Sequence, residues 1–341
     1  MRARDLGIAP GRFSPGPMNA LTDVPGVRVG QVTLQEGDDV RTGVTAIVPD
    51  QLLARRALPA GLFVGNGYGK LIGVTQLEEL GEIETPIVLT GTLSAFRAAD
   101  YLVSYMLALP GNEEMTSVSP VVGETNDGFL SDIRSRPIAE VHVLDALRNA
   151  SAGPVAEGCV GAGTGTSALG FKAGIGTSSR IVTIRESPDA FTLGVLVQSN
   201  FSGTITVLGT PIDAEEALAS VRDSPDTGEV ERGNSCMIVV ATDATLDARQ
   251  LRRIATRAVF GMARVGAGYT HGSGDYGIAF SVGAGPILRD ADLDPLFLAV
   301  QEAVEEAILN SLFMAETTVG YRGRVRHAVP HTFVMDRLSL K

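Results

Sequence analysis

At 341 residues, with 44% hydrophobic and 20% charged side chains, the chain holds enough apolar material to bury a sizeable core, which excludes wholesale disorder. A formal net charge of −11 excludes the basic stripe that a nucleic-acid partner calls for. No apolar run reaches the roughly 18 residues of a membrane span, so no membrane partner is expected either.

The basic N-terminus is not followed by the apolar stretch of a secretory signal, and a cytoplasmic location is expected. Residues 13–33 mix turn signals with short strands: Pro25-Gly26 marks a turn, and Val27, Val29 and Val32 read as strand. Residues 43–49 and 60–64 read as further strands, and 65–70 (Gly-Asn-Gly-Tyr-Gly-Lys) as a flexible loop containing Asn66. A helical stretch at 76–81 precedes a strand at 85–90. Residues 94–107 have helical spacing, with Phe96, Ala99, Leu102, Val103 and Met106 on one side. Residues 121–128 (Val-Val-Gly-Glu-Thr-Asn-Asp-Gly) run from strand into turn, with Glu124 and Asn126 as polar candidates. A helix is expected at 141–150.

The glycine-rich run at 158–167 fits neither G-x-G-x-x-G, since Thr166 stands where the third glycine belongs, nor the phosphate-binding P-loop. No cofactor is implied. Strands at 181–184, 191–197 and 204–208 come next. The acidic connector 211–234, with Pro and Gly towards its end, suits an exposed loop in which a cut is tolerated. A strand at 237–241, a helix from about 247 to 265, a glycine-rich loop at 266–276 and a strand at 277–282 complete the chemistry-bearing region. A long helix at 293–317 and a strand in the tail 327–335 close the chain. Cys159 and Cys236 fit no disulfide framework and, with four histidines, no zinc pattern; both thiols are expected to be buried, and no metal is implied. One mixed α/β domain over residues 1–341 is the expected organisation.

A Ser-His-Asp triad is the first enzyme hypothesis, and it is weak: the G-x-S-x-G elbow is broken around Ser235, and His271 lies only two residues from Ser273. Asn234-Ser235 sits where a polar connector meets an apolar strand. It reads either as ordinary turn chemistry or as a self-cleavage bond that frees Ser235 as a new N-terminus. In the second case the base comes with the nucleophile, because an α-amine titrates at about 7.7–8.0.

Eight stretches, in order, resemble the DmpA/β-peptidyl aminopeptidase family of self-processing serine hydrolases. They are Asn19-Ala-Leu-Thr-Asp-Val-Pro-Gly-Val-Arg-Val-Gly, Phe63-Val-Gly-Asn-Gly-Tyr-Gly-Lys, Val121-Val-Gly-Glu-Thr-Asn-Asp-Gly and Gly161-Ala-Gly-Thr-Gly-Thr, followed by Gly170-Phe-Lys-Ala-Gly-Ile-Gly-Thr-Ser-Ser-Arg, Val197-Gln-Ser-Asn, Asn234-Ser-Cys-Met-Ile-Val-Val-Ala-Thr-Asp-Ala and Gly272-Ser-Gly-Asp-Tyr. The resemblance implies an αββα sandwich similar to N-terminal-nucleophile hydrolases and cleavage at 234/235 into chains 1–234 and 235–341. It also implies assembly as a homotetramer of αβ pairs, and removal of N-terminal residues from short peptides, amides or esters bearing a free N-terminal amine. Some members of the family prefer D-alanyl substrates and others β-amino acids. By the same resemblance Ser235 matches the nucleophile, and Ser273 with Asp275 the relay, although the family's carboxylate is often Glu. Asn200 matches an oxyanion amide and Glu124 the carboxylate that pairs with the substrate amine. Asn126 stands where some relatives carry a tyrosine that helps the oxyanion hole, and Asn66 is a further site candidate that a structural turn explains equally well. An acyltransferase of the ornithine-acetyltransferase type, which uses threonine, and a small-amine or peptide binder without turnover are the alternatives.

Overall fold

A strand with no polar face has to be covered on both sides, and the run from Ser235 to Thr242 is buried at every position. In the computed structural model, which describes residues 1–52, 57–184, 190–219 and 234–339, that strand lies inside the larger of two stacked sheets. The main strands are β1 (Val27–Glu36), β2 (Val40–Pro49), β3 (Leu58–Gly67), β4 (Glu82–Ile83), β5 (Ile87–Gly91), β6 (Val121–Thr125), β7 (Ile175–Thr183), β8 (Ala190–Asn200), β9 (Ser235–Thr242) and β10 (Gly274–Ser281). The smaller sheet runs β1-β2-β5-β6 and the larger β4-β3-β10-β9-β8-β7. β9 pairs antiparallel with β8 and parallel with β10.

Four longer helices cover the sheets: α1 (Ala95–Leu107), α2 (Glu140–Arg148), α3 (Ala248–Arg264) and α4 (Asp294–Phe313). Alternation along the strands sorts their side chains into three apolar layers. Cys236, Ile238 and Val240 join the core beneath α3 and α4, while Met237, Val239 and Ala241 meet Ile87 and Leu89 between the sheets. Val44, Ala46 and Val88 pack outward against α1 and α2. The order is helix, sheet, sheet, helix, as expected. Among the described residues no helix is long and apolar enough to cross a membrane.

Several boundaries differ from the sequence-based expectation. β7 begins at Ile175, six residues before the strand expected at 181, because Gly-Thr-Ser-Ser reads as turn composition. There α4 crosses so closely that a Cβ on Gly176 would lie 1.9 Å from the Ala307 carbonyl oxygen, and the Ser178 hydroxyl donates to the Ala303 carbonyl (2.6 Å). The strand expected at 204–208 shrinks to Thr206–Val207, paired with Thr210–Pro211. The connector opens with a short helix, Ala214–Ala219, rather than a loop; residues 220–233, the rest of it up to Asn234, lie outside the described residues. The tail holds helix His331–Arg337 instead of a strand. Its β-branched and aromatic composition is overridden by docking: Val334 is buried, and the His331 ring stands edge-on to Phe313. On α1 the inward face is Ala95, Ala98, Ala99, Leu102 and Met106, with Phe96 outside. Cys236 is buried, but Cys159 is partly exposed.

The first 23 residues are tied down by buried charge. α4 is almost wholly buried from Leu296 on, so its polar residues need internal partners. Glu306 accepts from Arg180 (2.7 Å), from Arg4 at both oxygens (2.8 and 2.9 Å) and from the Asn19 amide. Burial pulls the Arg180 guanidinium below its usual value, and Glu306 opposes that shift. Arg2 adds an ion pair to Glu157 at 2.7 Å. Removing one partner of such a pair strands the other, so Glu306→Ala is expected to cost about 3–5 kcal/mol in urea unfolding; a loss below about 1 kcal/mol contradicts the clamp.

Candidate active site

Ser235 heads β9, and its two flanking strands deliver the neighbours. Antiparallel pairing sets Asn200, the last residue of β8, directly opposite Ser235, and parallel pairing sets Asp275 beside Cys236. Ser235 is only 3% exposed, and its hydroxyl donates to the carbonyl oxygen of Asn234, the residue whose carbonyl the scissile reading requires it to attack. Asn234 is anchored from the other side. Its amide donates to the hydroxyls of Ser202 (2.7 Å) and Thr270 (3.2 Å), while its side-chain oxygen is buried without a hydrogen-bond partner among the described residues.

Ser273 and Asp275, two residues apart where β10 begins, face the same way. The Ser273 hydroxyl donates to Asp275 Oδ1 at 2.7 Å, so a carboxylate one methylene shorter than Glu reaches this serine. Both side chains are buried. Burial raises the Asp275 carboxyl to about 6, against the lowering influence of the Ser273 hydroxyl and the Cys236 amide. The register with β3 shifts between Asp275 and Tyr276, a bulge that turns the strand at this point.

Asn200 is held at both ends of its amide: the oxygen accepts from Ser167 N–H (3.1 Å), and the nitrogen donates to the Asn126 carbonyl (3.0 Å). The glycine-rich run 161–166 thus leads into the residue that orients Asn200. Asn126 reaches the site through its backbone; its side chain accepts from Gly128 N–H and closes its own turn (3.0 Å).

Glu124 comes from the other sheet. β6 can cross β9 closely because residue 123 has no side chain: a Cβ there would lie 2.6 Å from Met237 Cε. The Glu124 carboxylate is 1% exposed, accepting from Lys70 N–H (2.7 Å) on one oxygen and from the Thr92 hydroxyl on the other. Asn66 pairs with Asp275 in register, but its amide donates to the Thr270 carbonyl (2.6 Å), so it fastens the loop before Ser273.

Ser235, Asn200, Ser273, Asp275 and the Asn126 carbonyl therefore cluster around the ends of β8, β9 and β10, with Glu124 on the facing strand. Three participants escape sequence reading. Ser202 and Thr270 grip Asn234 and sit in turn-like stretches with no signal of their own. Asp127, read as part of a plain turn, is buried, accepts from the Thr42 hydroxyl and is raised to about 7, chiefly by burial. Its place inside Glu-Thr-Asn-Asp-Gly is the only hint in the sequence.

The profile described as Peptidase family S58 matches residues 19–326. β-Peptidyl aminopeptidase BapA of Sphingosinicella microcystinivorans is 38% identical, over 97% of this chain and 90% of that protein. The crystal structure of the PH0078 protein from Pyrococcus horikoshii OT3 is 42% identical with a TM-score of 0.90, covering 100% of both chains. The L-aminopeptidase D-Ala-esterase/amidase of Ochrobactrum anthropi is described as a prototype for the serine aminopeptidases and a new variant among the Ntn hydrolase fold. It is 34% identical with a TM-score of 0.88, over 99% of this chain and 98% of that one. The expected αββα layering and the reading as a hydrolase of the N-terminal-nucleophile type stand. The chain belongs to peptidase family S58.

Proposed function

We propose that this chain cuts itself between Asn234 and Ser235 and then works as a serine aminopeptidase or amidase on short peptides, amides or esters with a free N-terminal amine. The observation that carries the reading is the Ser235 hydroxyl lying on the Asn234 carbonyl at the head of a strand that cannot shift. In the uncut chain Ser235 Oγ attacks that carbonyl, and the C–O ester bond forms as the C–N bond breaks. The hydroxyl proton ends on the departing Ser235 nitrogen. Water then splits the ester into the Asn234 carboxylate and the free Ser235 hydroxyl.

The released α-amine, titrating at about 7.7–8.0 in an ordinary setting, is a base near neutral pH. It takes the Ser235 proton as Oγ attacks the substrate carbonyl and passes it to the leaving amine, leaving an acyl-enzyme for water to hydrolyse. The Asn200 amide supports the negative oxygen, Ser273 and Asp275 steady the proton path, and Glu124 pairs with the substrate's ammonium. Chains 1–234 and 235–341 stay together as one αβ unit, since the β8–β9 ladder and the apolar layers cross the cut. Assembly of four such units belongs to the same reading, on the strength of the family resemblance. The relatives' names, β-peptidyl aminopeptidase and L-aminopeptidase D-Ala-esterase/amidase, suggest β-, L- or D-alanyl acyl groups as the first substrates to try. Membership of a peptidase family speaks against acyl transfer or binding without turnover.

Ser235→Ala is expected to lower amide hydrolysis by roughly three orders of magnitude or more; residual activity within about tenfold of the parent sinks the nucleophile assignment. Asp275 serves as the acceptor only when ionised. The value of kcat/KM already falls as the α-amine protonates below about 7.7–8.0, and the fall steepens as pH drops through about 6, where Asp275 also takes a proton. Asp275→Asn removes that steepening along with most of the rate and leaves the amine's limb, whereas an acid limb of unchanged slope down to about pH 4.5 in the parent contradicts the role.

A further inference from the structure

Between the amine-pairing carboxylate and the relay serine runs a three-residue strap, 68–70, each residue of which has a backbone group engaged. Tyr68 N–H donates to the Ser273 carbonyl (3.1 Å), the Gly69 carbonyl accepts from the Tyr276 hydroxyl (2.9 Å), and Lys70 N–H donates to Glu124 Oε1 (2.7 Å). The strap has no slack at its centre. A Cβ on Gly69 would lie 2.6 Å from Tyr276 Cε2, 3.1 Å from Gly274 Cα and 3.2 Å from Glu124 Oε1. Tyr276 follows Asp275 in β10, is 4% exposed and packs its ring in the layer between the sheets. Burial, with the negative charge of Glu124 and Asp275, pushes its hydroxyl up to about 12, so it remains a donor over the working pH range.

We propose that Tyr276 is a positioning residue for substrate selection: through Gly69 it holds the Lys70 N–H against Glu124 and so fixes the carboxylate that receives the substrate's amine. The proposal rests on the reading of Glu124 given above. A carboxylate offers about four lone-pair directions, so the Lys70 and Thr92 donors can orient Glu124 and still leave it able to accept from an ammonium. Without the tyrosine hydroxyl the Gly69 carbonyl loses its buried partner, and the strap that aims Lys70 N–H is untied at its centre, held only by Tyr68 on one side and by the Ile72–Val122 pair on the other. Tyr276 touches neither the nucleophile nor the substrate in this scheme. Its effect should therefore appear in the preference for an amine and not in the acylation of Ser235 as such.

The test compares two p-nitrophenyl esters, of alanine and of propionic acid, which differ only in the amine, on the full-length protein. The ratio of their kcat/KM values is the readout, and a merely structural defect lowers both and leaves it unchanged. Tyr276→Phe, which keeps the ring against Gly69, is expected to reduce the ratio about fivefold, with the propionyl ester hydrolysed at the parental rate to within about twofold. Glu124→Gln, the reference variant, is expected to collapse the ratio further. If Glu124→Gln collapses it while Tyr276→Phe leaves it intact, or lowers both esters equally, the positioning role is overturned and the reading of Glu124 stands. If Glu124→Gln leaves the ratio unchanged, the reading of Glu124 fails and this proposal fails with it.

Discussion

Everything at the site depends on β9 being unable to move. It is hydrogen-bonded on both edges, to β8 and β10, and buried on both faces by two different apolar layers. A residue at its first position is therefore fixed in space by some eight residues of ladder and core behind it, and not by the chain in front of it. That is the condition a new N-terminus has to meet. Most chain ends fray, whereas an end at Ser235 would stay opposite Asn200 and near Asp275 whether or not Asn234 remained attached.

The second constraint is the economy of buried charge. Four carboxylates near or behind the site are removed from water and are treated differently. Glu306 is matched by Arg4 and Arg180 and locks the N-terminal segment onto α4. Glu124 is met by an N–H and a hydroxyl, with no cation paired to it among the described residues, and under the proposed function the substrate's ammonium answers its charge. Asp275 and Asp127 have mainly hydroxyl donors and take up protons more readily than exposed carboxylates do. On the proposed function, structural carboxylates are thus separated from those assigned to the site by whether a guanidinium is built in beside them.

The strands and helices of the larger sheet were legible because β9, α3 and α4 carry long apolar patterns. The Asp247–Gln250 capping box that starts α3 lies where the helix was expected to begin. What escaped is packing between distant segments. The polar start of β7 is a strand only because α4 lies almost in contact with Gly176, and the tail is a helix because it docks beside Phe313. At the site, the residue types were readable from the order of the motifs, but their orientation was not. Asn126 contributes a carbonyl instead of a side chain, and Asn66 holds a loop. Tyr276 reaches Gly69 across a bulge that no local pattern announces.

The central claim, that Ser235 becomes an N-terminal nucleophile, is tested most directly by the intact mass of catalytically active protein under denaturing conditions, with the first residues of each species sequenced. The account predicts two species, residues 1–234 and 235–341, the smaller beginning Ser-Cys-Met-Ile-Val. A single species of all 341 residues in fully active material would contradict it.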